Sequence, residues 1–304
     1  MTRWLARLVL GLYPLAFRRR YGDEMRALLD QAPARLVTVL DLVRGALAAH
    51  LRPAAAGGPV DPADRVRASA SGVLACWVVF AAAGLGFYKT TEDASFAAAG
   101  HAHPLLGDAH ASVQALALLA SAAVALGALP LIIAALAHAR REPSTRFVVS
   151  LPALAGVVFA GLTAGLALAA RTTPTHGPTT GAGIAFIGWG LAGLACAGVC
   201  VAAARSALFA APMSRARLIT AFACGALTTA AMAAMALATA LYAIALPLDA
   251  SHLAGAPNGP LQLMSTGVSL VALLIVMVLA ATLASTTTRR GWRAAGQLHA
   301  ARPS

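Results

Sequence analysis

The chain has 304 residues, of which 59% are apolar and 11% are charged, and 23 Lys and Arg against 11 Asp and Glu give a net charge of +12. Soluble domains are typically about 45–50% apolar and about 25% charged, so this composition excludes an ordinary water-soluble globule. The abundance of apolar residues excludes intrinsic disorder, and only four cysteines exclude a disulfide-dense scaffold. The composition predicts an all-α, polytopic membrane protein.

The first 52 residues are predicted to form a small cytoplasmic helical prefix. Its opening run is apolar, but Arg7 and Pro14 interrupt it, so we expect no cleaved signal peptide. One amphipathic helix is predicted before Pro14, a second is predicted to begin at Asp23 as its N-cap, and a third follows Pro33. The third has apolar residues on one helical face, namely Leu36, Leu40, Val43, Leu47 and Leu51. That face would pack within the prefix, lie among lipid headgroups or dock another protein.

Three short runs lie in this prefix, Leu12–Pro14, Ala16–Arg18 and Arg20–Met25. Together they resemble the N-terminal segment that precedes the membrane domain in some bacterial ABC-type permeases and in uncharacterised actinobacterial membrane proteins. The resemblance implies placement in a membrane. Such permeases usually carry a large extracytoplasmic domain after their first membrane helix, whereas the connection after Lys89 is short in this chain. The candidates for docking a cytoplasmic protein partner or an ATPase subunit are Arg18, Arg19, Arg20, Tyr21 and Glu24.

Six long windows without a charged residue follow a Pro-, Ala- and Gly-rich linker at 53–66. Each window exceeds the roughly 20 residues that a helix needs to cross hydrocarbon, where one charge costs about 2.5–3.5 kcal/mol. Residues 67–288 are therefore predicted to form a six-helix transmembrane domain, followed by a basic cytoplasmic tail at 289–304. The predicted spans are Ala68–Tyr88, Ser112–Ala137, Phe147–Ala170, Gly183–Ala204, Leu218–Leu246 and Leu263–Ser285. Turn-forming residues predict loops at His101–Pro104, Thr173–Pro178 and Ser251–Pro260.

Positive charge falls almost entirely on one predicted side of the membrane. Every Lys and Arg except Lys89 and Arg171 lies before the first span, in the second or fourth connection, or in the tail. Because loops rich in Lys and Arg stay in the cytoplasm, both termini are predicted to be cytoplasmic in a bacterial inner membrane. The expected counterpart of this charge is the anionic headgroup surface and not nucleic acid, since the arginines are divided among separate segments.

Several familiar activities lack the residues that they require. The single lysine, Lys89, follows Tyr88 and not glycine, so a phosphate-binding Gly-Lys-Ser/Thr loop is absent. No glutamate follows a histidine, no Gly-x-Ser-x-Gly elbow occurs, and every aspartate lies outside the charge-free windows. We therefore expect no enzyme and no cofactor. Ion-coupled carriage is disfavoured because the spans offer only the terminal His138 as a proton site, although glycine-rich backbone could coordinate an ion.

Histidines of the predicted first external loop are the candidates for a metal site. His101, His103 and His110 lie near Asp108 in the sequence, and imidazole with carboxylate can bind zinc or copper or can sense acid. Their spacing is not that of a known metal motif. Solvated loop histidines are the simpler interpretation, so no metal is predicted.

Cysteines, glycines and a proline fall within the predicted spans. Cys196 and Cys200 share one helical face, where thiolates could hold Cu(I), but burial in hydrocarbon favours apolar packing and no structural disulfide. Gly161 and Gly165 form a Gly-x-x-x-Gly pair, which predicts close helix packing within the chain and would also allow a homodimer. Pro130 is predicted to kink the second span.

Two functions agree with these patterns. The first is a non-enzymatic membrane partner or regulatory scaffold whose prefix and basic loops bind cytoplasmic components. The second is a permease-like subunit that moves an apolar or lipid-like substrate with energy from a separate ATPase. A stoichiometric ATPase partner would distinguish the second function from the first.

Overall fold

The computed structural model describes Leu10, Thr38, Asp41, Leu42, Gly45 and residues 15–31, 62–172, 180–210, 214–258 and 264–300. The described residues form nine continuous helices and one pair of two-residue strands. The helices are α1 (Leu15–Gln31), α2 (Pro62–Thr90), α3 (Ala94–Ala102), α4 (Pro104–Arg141), α5 (Pro143–Thr172), α6 (Thr180–Ala210), α7 (Arg215–Asp249), α8 (Ser251–Gly255) and α9 (Thr266–Ala300). Strands β1 (Pro257–Asn258) and β2 (Met264–Ser265) are antiparallel, with Pro257 opposite Ser265.

Six of these helices are long and apolar enough to cross a membrane. They are α2, α4 and α7 over their full lengths, Val148–Ala169 within α5, Gly181–Phe209 within α6 and Thr266–Gln297 within α9. By length and composition, this result confirms the predicted all-α fold with six spans. An α-helix satisfies its own backbone hydrogen bonds, which a hydrocarbon environment requires because it offers no water.

Helices at both ends of the spanning domain extend beyond the predicted boundaries. α2 begins at Pro62, inside the predicted linker 53–66, and α9 continues to Ala300 through most of the predicted tail. Proline is favoured in the first turn of a helix, and the arginines and alanines of the tail have high helix propensity. A charged residue therefore ends a hydrophobic window without ending a helix. Residues 53–61 lie outside the described residues.

Two of the predicted loops contain helix. At His101–Pro104 only His103 leaves the helical conformation, because the Ala-rich run before it forms α3 and Pro104 occupies the first turn of α4. At Ser251–Pro260 the short helix α8 and strand β1 stand where an irregular loop was expected. The third predicted loop, Thr173–Pro178, lies outside the described residues.

In the prefix, the predicted helix start at Asp23 is wrong. α1 covers 15–31 without a break, so Asp23 lies in its middle, where its Oδ1 accepts a hydrogen bond from Arg26 Nη1 at 2.8 Å. No proline occurs in this stretch, and an ion pair spaced three residues apart favours a continuous helix over a cap. Most of the predicted first helix, and the apolar face of the third, lie outside the described residues.

Prolines within the spans do not end their helices. α4 continues through Pro130, α5 through Pro152 and α7 through Pro247. Pro152 lies in a predicted span as well, whereas Pro247 lies one residue beyond the end of the predicted fifth span, so at least three of the helices accommodate an interior proline. The kink at Pro130 stays a prediction.

Four helices, α2, α4, α7 and α9, pack around one apolar core. α9 packs along α2 and α7, and α4 packs along α7. The largest fully buried side chains of this core are Phe80, Phe87, Leu106, Met232, Leu246, Leu270 and Met277. Glycine permits one of the closest contacts, because a Cβ at Gly291 would overlap Ser69 and Phe222. Without glycine at this position, α9 could not lie so near to α2 and α7.

The helices α5 and α6 form a hairpin at the side of this core. They pack mainly against each other, while α6 also contacts α2 and α5 contacts α4 more briefly. Within the hairpin, Trp189 Nε1 donates to Thr163 Oγ1 at 2.9 Å, and the Trp189 ring stacks on Phe159 with centroids 5.3 Å apart. Aromatic stacking and this hydrogen bond therefore help to hold the two helices of the hairpin together.

The predicted Gly-x-x-x-Gly pair does not pack against another helix of this chain. A Cβ at Gly161 or at Gly165 would meet no atom within 4 Å. A glycine that does serve contact within the hairpin is Gly193, where a Cβ would lie 2.8 Å from Cε2 of Phe159. The prediction of close intramolecular packing is therefore wrong for Gly161 and Gly165, because their face of α5 points away from α6. The homodimer through this face stays a prediction.

Candidate functional site

A large apolar crevice lies between the α5–α6 hairpin and the core helices α2, α4 and α7. Its volume is about 620 Å³. The crevice lies nearer to one end of the molecule, which we call the Arg-rich end. At this end α2, α5 and α7 begin and α4, α6 and α9 end. Its arginines are Arg65, Arg67, Arg140, Arg141, Arg146, Arg205, Arg215, Arg217, Arg289, Arg290 and Arg293. The crevice also opens sideways, since Ile132 and Leu136 in its wall are about half exposed.

Small and aliphatic side chains form the walls of the crevice. α6 faces the core with alanines, among them Ala197, Ala204 and Ala207, whose methyl groups do not reach across the gap. Thr228 carries the single hydroxyl among the described lining residues, and its Oγ1 donates to the carbonyl of Cys224 at 2.9 Å. The two lining thiols, on Cys200 and Cys224, behave as small apolar groups. The interior of the crevice therefore suits hydrocarbon and offers little to a polar molecule.

On α7, one row of the crevice wall leads to an arginine at the Arg-rich end. Ala221, Cys224 and Thr228 line the crevice, and Arg217 precedes them by four, seven and eleven residues. With 3.6 residues per turn, these intervals place all four residues on one helical face. The Arg217 side chain is exposed. Its charge therefore lies at the mouth of the crevice.

On α2, a second row of the wall leads to Arg67. Ala70, Leu74 and Val78 line the crevice, and Arg67 precedes them by three, seven and eleven residues, again on one face. Arg67 Nη1 donates to Asp64 Oδ1 at 2.8 Å, and the Arg67 side chain is only 17% exposed. Its Nε is buried and has no hydrogen-bond partner among the described residues. A buried donor without a partner costs about 1–3 kcal/mol, so the single carboxylate of Asp64 does not satisfy all of the hydrogen-bond donors of this guanidinium.

Two further arginines of this end differ from Arg67 and Arg217. Arg146 donates from Nε to the carbonyl of Ala139 at 3.1 Å and from Nη2 to the carbonyl of Arg140 at 3.2 Å. These bonds satisfy carbonyl groups at the end of α4, so Arg146 is occupied in closing that helix. Arg215 has a buried Nη2 with no partner in the described part of the chain, but it lies on another face of α7 than the crevice wall.

The three candidate histidines do not form one cluster. His101 and His110 line a second cavity of about 200 Å³ together with Gln114 and Tyr242, at the end opposite the arginines. The His110 ring packs edge-on against Tyr242 with centroids 6.1 Å apart. His103 is not part of that lining, and its Nδ1 lies 3.9 Å from Asp249 Oδ1. Within the described ranges, no three His, Cys, Asp or Glu side chains come close enough to hold a metal ion.

The docking candidates of the prefix all lie on α1. The side chains of Arg18, Arg19 and Arg20 lie outside the described residues, although their backbone is helical. Tyr21 is half-buried and Glu24 is exposed. One turn after Glu24, Leu28 exposes 63% of its surface, which is a feature that the sequence pattern did not single out. The fold therefore places the five candidates on one helix and adds an exposed apolar residue beside them.

Neither the crevice nor the place of Arg67 and Arg217 at the ends of its wall rows was predicted from the sequence. The available signal was an arginine three or four residues before a row of small apolar residues, on α2 and on α7. That signal was not sufficient, because the spacing of residues along a helix does not state which of its faces meets a neighbouring helix. Which face meets the hairpin is decided by the packing of the other helices.

Comparison of the chain with known protein families, curated proteins and solved structures gave no match. The fold and the crevice nevertheless define a class. The chain is a polytopic membrane protein, with six apolar helices and an apolar crevice between a peripheral hairpin and a packed core.

Proposed function

We propose that this is a non-enzymatic, multi-pass protein of a bacterial inner membrane that binds an apolar, lipid-like molecule in the crevice. Both termini face the cytoplasm in this proposal, so the Arg-rich end is the cytoplasmic end. The observation that supports the proposal is the crevice itself, which has a volume of about 620 Å³ and apolar walls. Neither cofactor nor metal is needed for such binding.

The dimensions and the lining of the crevice agree with this ligand class. Ligand pockets are typically about 300–1,000 Å³ and mostly apolar. Walls of this composition offer water almost no hydrogen-bond partner and favour contact with apolar molecules. At the depth of the hydrocarbon, the acyl chain of a lipid is the apolar molecule present at the highest concentration. It can enter through the side of the crevice where Ile132 and Leu136 are exposed.

We place this binding in a permease-like subunit that depends on a separate ATPase for energy. Among the described residues that line the crevice, no carboxylate or arginine could couple movement to an ion gradient. The hairpin α5–α6 contributes few buried residues, so moving it costs less than moving a core helix. The partner ATPase would contact the basic connections and α1 at the cytoplasmic side.

Photocrosslinking in nanodiscs tests whether the crevice holds a lipid chain. The full-length protein is irradiated with a phosphatidylcholine that carries a diazirine near the end of one acyl chain, and the labelled peptides are mapped by mass spectrometry. Ala204→Phe fills the crevice, whereas Ala202→Phe places the same ring on an exposed position of α6 outside the lining.

The expected result is label on wall peptides of α4 and α7 in the unmodified protein and in Ala202→Phe, and loss of that label in Ala204→Phe. Unchanged label on the outer face of α5 shows that Ala204→Phe is folded. Equal label on the wall peptides in both variants, with both folded, would overturn lipid binding in the crevice.

A regulatory scaffold is the second candidate function, and the exposed side chain of Leu28 on α1 favours it. An apolar residue one turn from Glu24 gives α1 a mixed surface that a protein partner could cover. Purification in mild detergent followed by quantitative mass spectrometry distinguishes the two functions. An ATPase at equal stoichiometry, lost on Leu28→Asp, supports the permease-like subunit. A regulator without ATPase activity, lost on the same substitution, supports the scaffold and contradicts the permease-like role.

A further inference from the structure

We infer that the crevice selects an anionic phospholipid, with an acyl chain between the hairpin and the core and the headgroup phosphate bound by Arg67 and Arg217. This inference rests on the proposed function, since it names the class of lipid for the same crevice. It makes a separate claim, because an apolar crevice alone would bind any acyl chain regardless of the headgroup.

The two arginines lie at the same level of the fold. Val66 of α2 and Leu218 and Phe222 of α7 belong to one small buried cluster at the Arg-rich end. Arg67 follows Val66 in the chain, and Arg217 precedes Leu218. Contact between these neighbours therefore fixes the backbones of both arginines beside the same cluster. Both also continue rows of the crevice wall, so both are next to the mouth.

The charge at this mouth favours an anion. Of the acidic residues described in α2–α9 and their connections, only Asp64 and Glu142 lie at the Arg-rich end. Asp64 pairs with one nitrogen of Arg67, while the buried Nε of Arg67 has no partner in the described part of the chain. A phosphate at this mouth would be attracted by the positive charge of Arg67 and by the exposed charge of Arg217. A zwitterionic headgroup would bring a cation to the same place and would lose part of this attraction.

The apolar wall decides between a lipid phosphate and a free phosphate. A free phosphate bound at Arg67 and Arg217 would make no contact with the apolar crevice beside them. A phospholipid satisfies both parts of the site at once, with its phosphate at the level of the headgroups and its chain in hydrocarbon. The site is therefore built for one amphiphile and not for two separate ligands.

Native mass spectrometry of the purified full-length protein tests this selectivity. The protein is released from detergent with palmitoyl-oleoyl phosphatidylglycerol or with palmitoyl-oleoyl phosphatidylcholine, which share their acyl chains, and inorganic phosphate is added in a third arm. The variants are Arg67→Gln, Arg217→Gln and their double variant. The matched control is Arg141→Gln, which removes an exposed arginine of the same end that does not continue a wall row.

The expected result is stronger binding of phosphatidylglycerol than of phosphatidylcholine by the unmodified protein. Because one arginine at a membrane surface contributes about 1 kcal/mol toward an anionic lipid, each Gln variant should weaken phosphatidylglycerol binding about fivefold. The double variant should bind the two lipids alike, with phosphatidylcholine binding retained as a sign that the crevice is folded. Arg141→Gln should keep the selectivity, and inorganic phosphate should not displace phosphatidylglycerol.

Three results would overturn the inference. The first is equal binding of both lipids by the unmodified protein, which leaves the proposed function intact. The second is a loss of selectivity in Arg141→Gln as large as in Arg217→Gln, because the charge would then act as a diffuse surface. The third is displacement by inorganic phosphate, which would mark a free-anion site. Failure of both lipids to bind would instead overturn the proposed function.

Discussion

The core helices and the α5–α6 hairpin differ in how much of their apolar surface meets protein. Half of the most apolar window of α7 is buried within the chain, whereas the corresponding share is 6% for the span in α5 and 0% for the span in α6. Both regions are apolar enough to lie in a membrane. Hydrophobicity therefore cannot be what separates them.

In hydrocarbon, a core helix differs from a peripheral helix in how closely its side chains fit those of its neighbours. Removal of apolar surface from water does not distinguish the two. Lipid tails are as apolar as leucine, so helices associate through close fit and hydrogen bonds between them. The core has such contacts at Gly291 and in the hydrogen bond from Ser69 Oγ to the carbonyl of Thr287 at 2.7 Å. The hairpin presents the alanines of α6 to the core, and the crevice is the space between these short side chains and the core helices.

The largest expected difference between the two regions is the effect of removing an apolar side chain. Phe80 is fully buried in the core, so Phe80→Ala should lower the free energy of unfolding by about 3–5 kcal/mol. Leu194→Ala, on the hairpin with its side chain 44% exposed, should cost less than about 1 kcal/mol. Equilibrium unfolding in mixed micelles measures both values. Equal losses would show that the hairpin is as tightly packed as the core.

A glycine in the core offers a second test of close fit. Gly291→Ala should destabilise the protein by about 1–3 kcal/mol, because the added methyl would overlap Ser69 and Phe222. Gly296→Ala on the same helix is the control, since no atom lies within 4 Å of its Cβ position, and it should be neutral or slightly stabilising. Thermal unfolding in detergent compares the two variants. A tolerated Gly291→Ala would contradict the close approach of α9.

The smallest expected effect lies within the hairpin. Trp189→Phe keeps an aromatic ring against Phe159 but removes the hydrogen bond to Thr163, so it should cost about 0.5–1.5 kcal/mol. The loss should appear as faster amide hydrogen exchange in α5 and α6, with exchange in α7 unchanged. Thr163→Val removes the same hydrogen bond and also the one from Thr163 Oγ1 to the carbonyl of Phe159 at 2.8 Å, so the two substitutions combined should cost less than the sum of their separate effects. Additive effects would show that the two side chains do not interact.

The positions of errors in the sequence-based fold are informative. The charge-free windows predicted six spans correctly, because the cost of a charge in hydrocarbon is set by residue type alone. The helix start at Asp23 was wrong, since the cap preference of one residue is weaker than the continuity of a helix without an interior breaker. The loop expected at His101–Pro104 is reduced to His103, because the Ala-rich run before it is helical and Pro104 is favoured in the first turn of the next helix. Gly161 and Gly165 were expected to pack within the chain, yet a motif does not state which face of its helix meets a neighbour.

In the candidate site, too, the sequence indicated the type of residue and the tertiary structure decided what that residue is next to. Arg67 and Arg217 were visible in the sequence as members of a basic side, and their predicted role was general attraction to anionic lipid. Their relation to a cavity needed the arrangement of five helices, because each wall row belongs to a different segment of the chain. Helical periodicity states which residues share a face, and it leaves open what that face meets.

The sequence by itself determined that this protein suits an apolar environment, how many apolar helices it has and at which ends of those helices its arginines lie. These properties follow from composition and order along the chain, because hydrocarbon length and charge cost act on each segment separately. Only the tertiary structure decided that α2, α4, α7 and α9 form the core and that α5 and α6 stand apart. That choice depends on the shapes of facing side chains, since lipid and protein interior are almost equally apolar and only close fit distinguishes them.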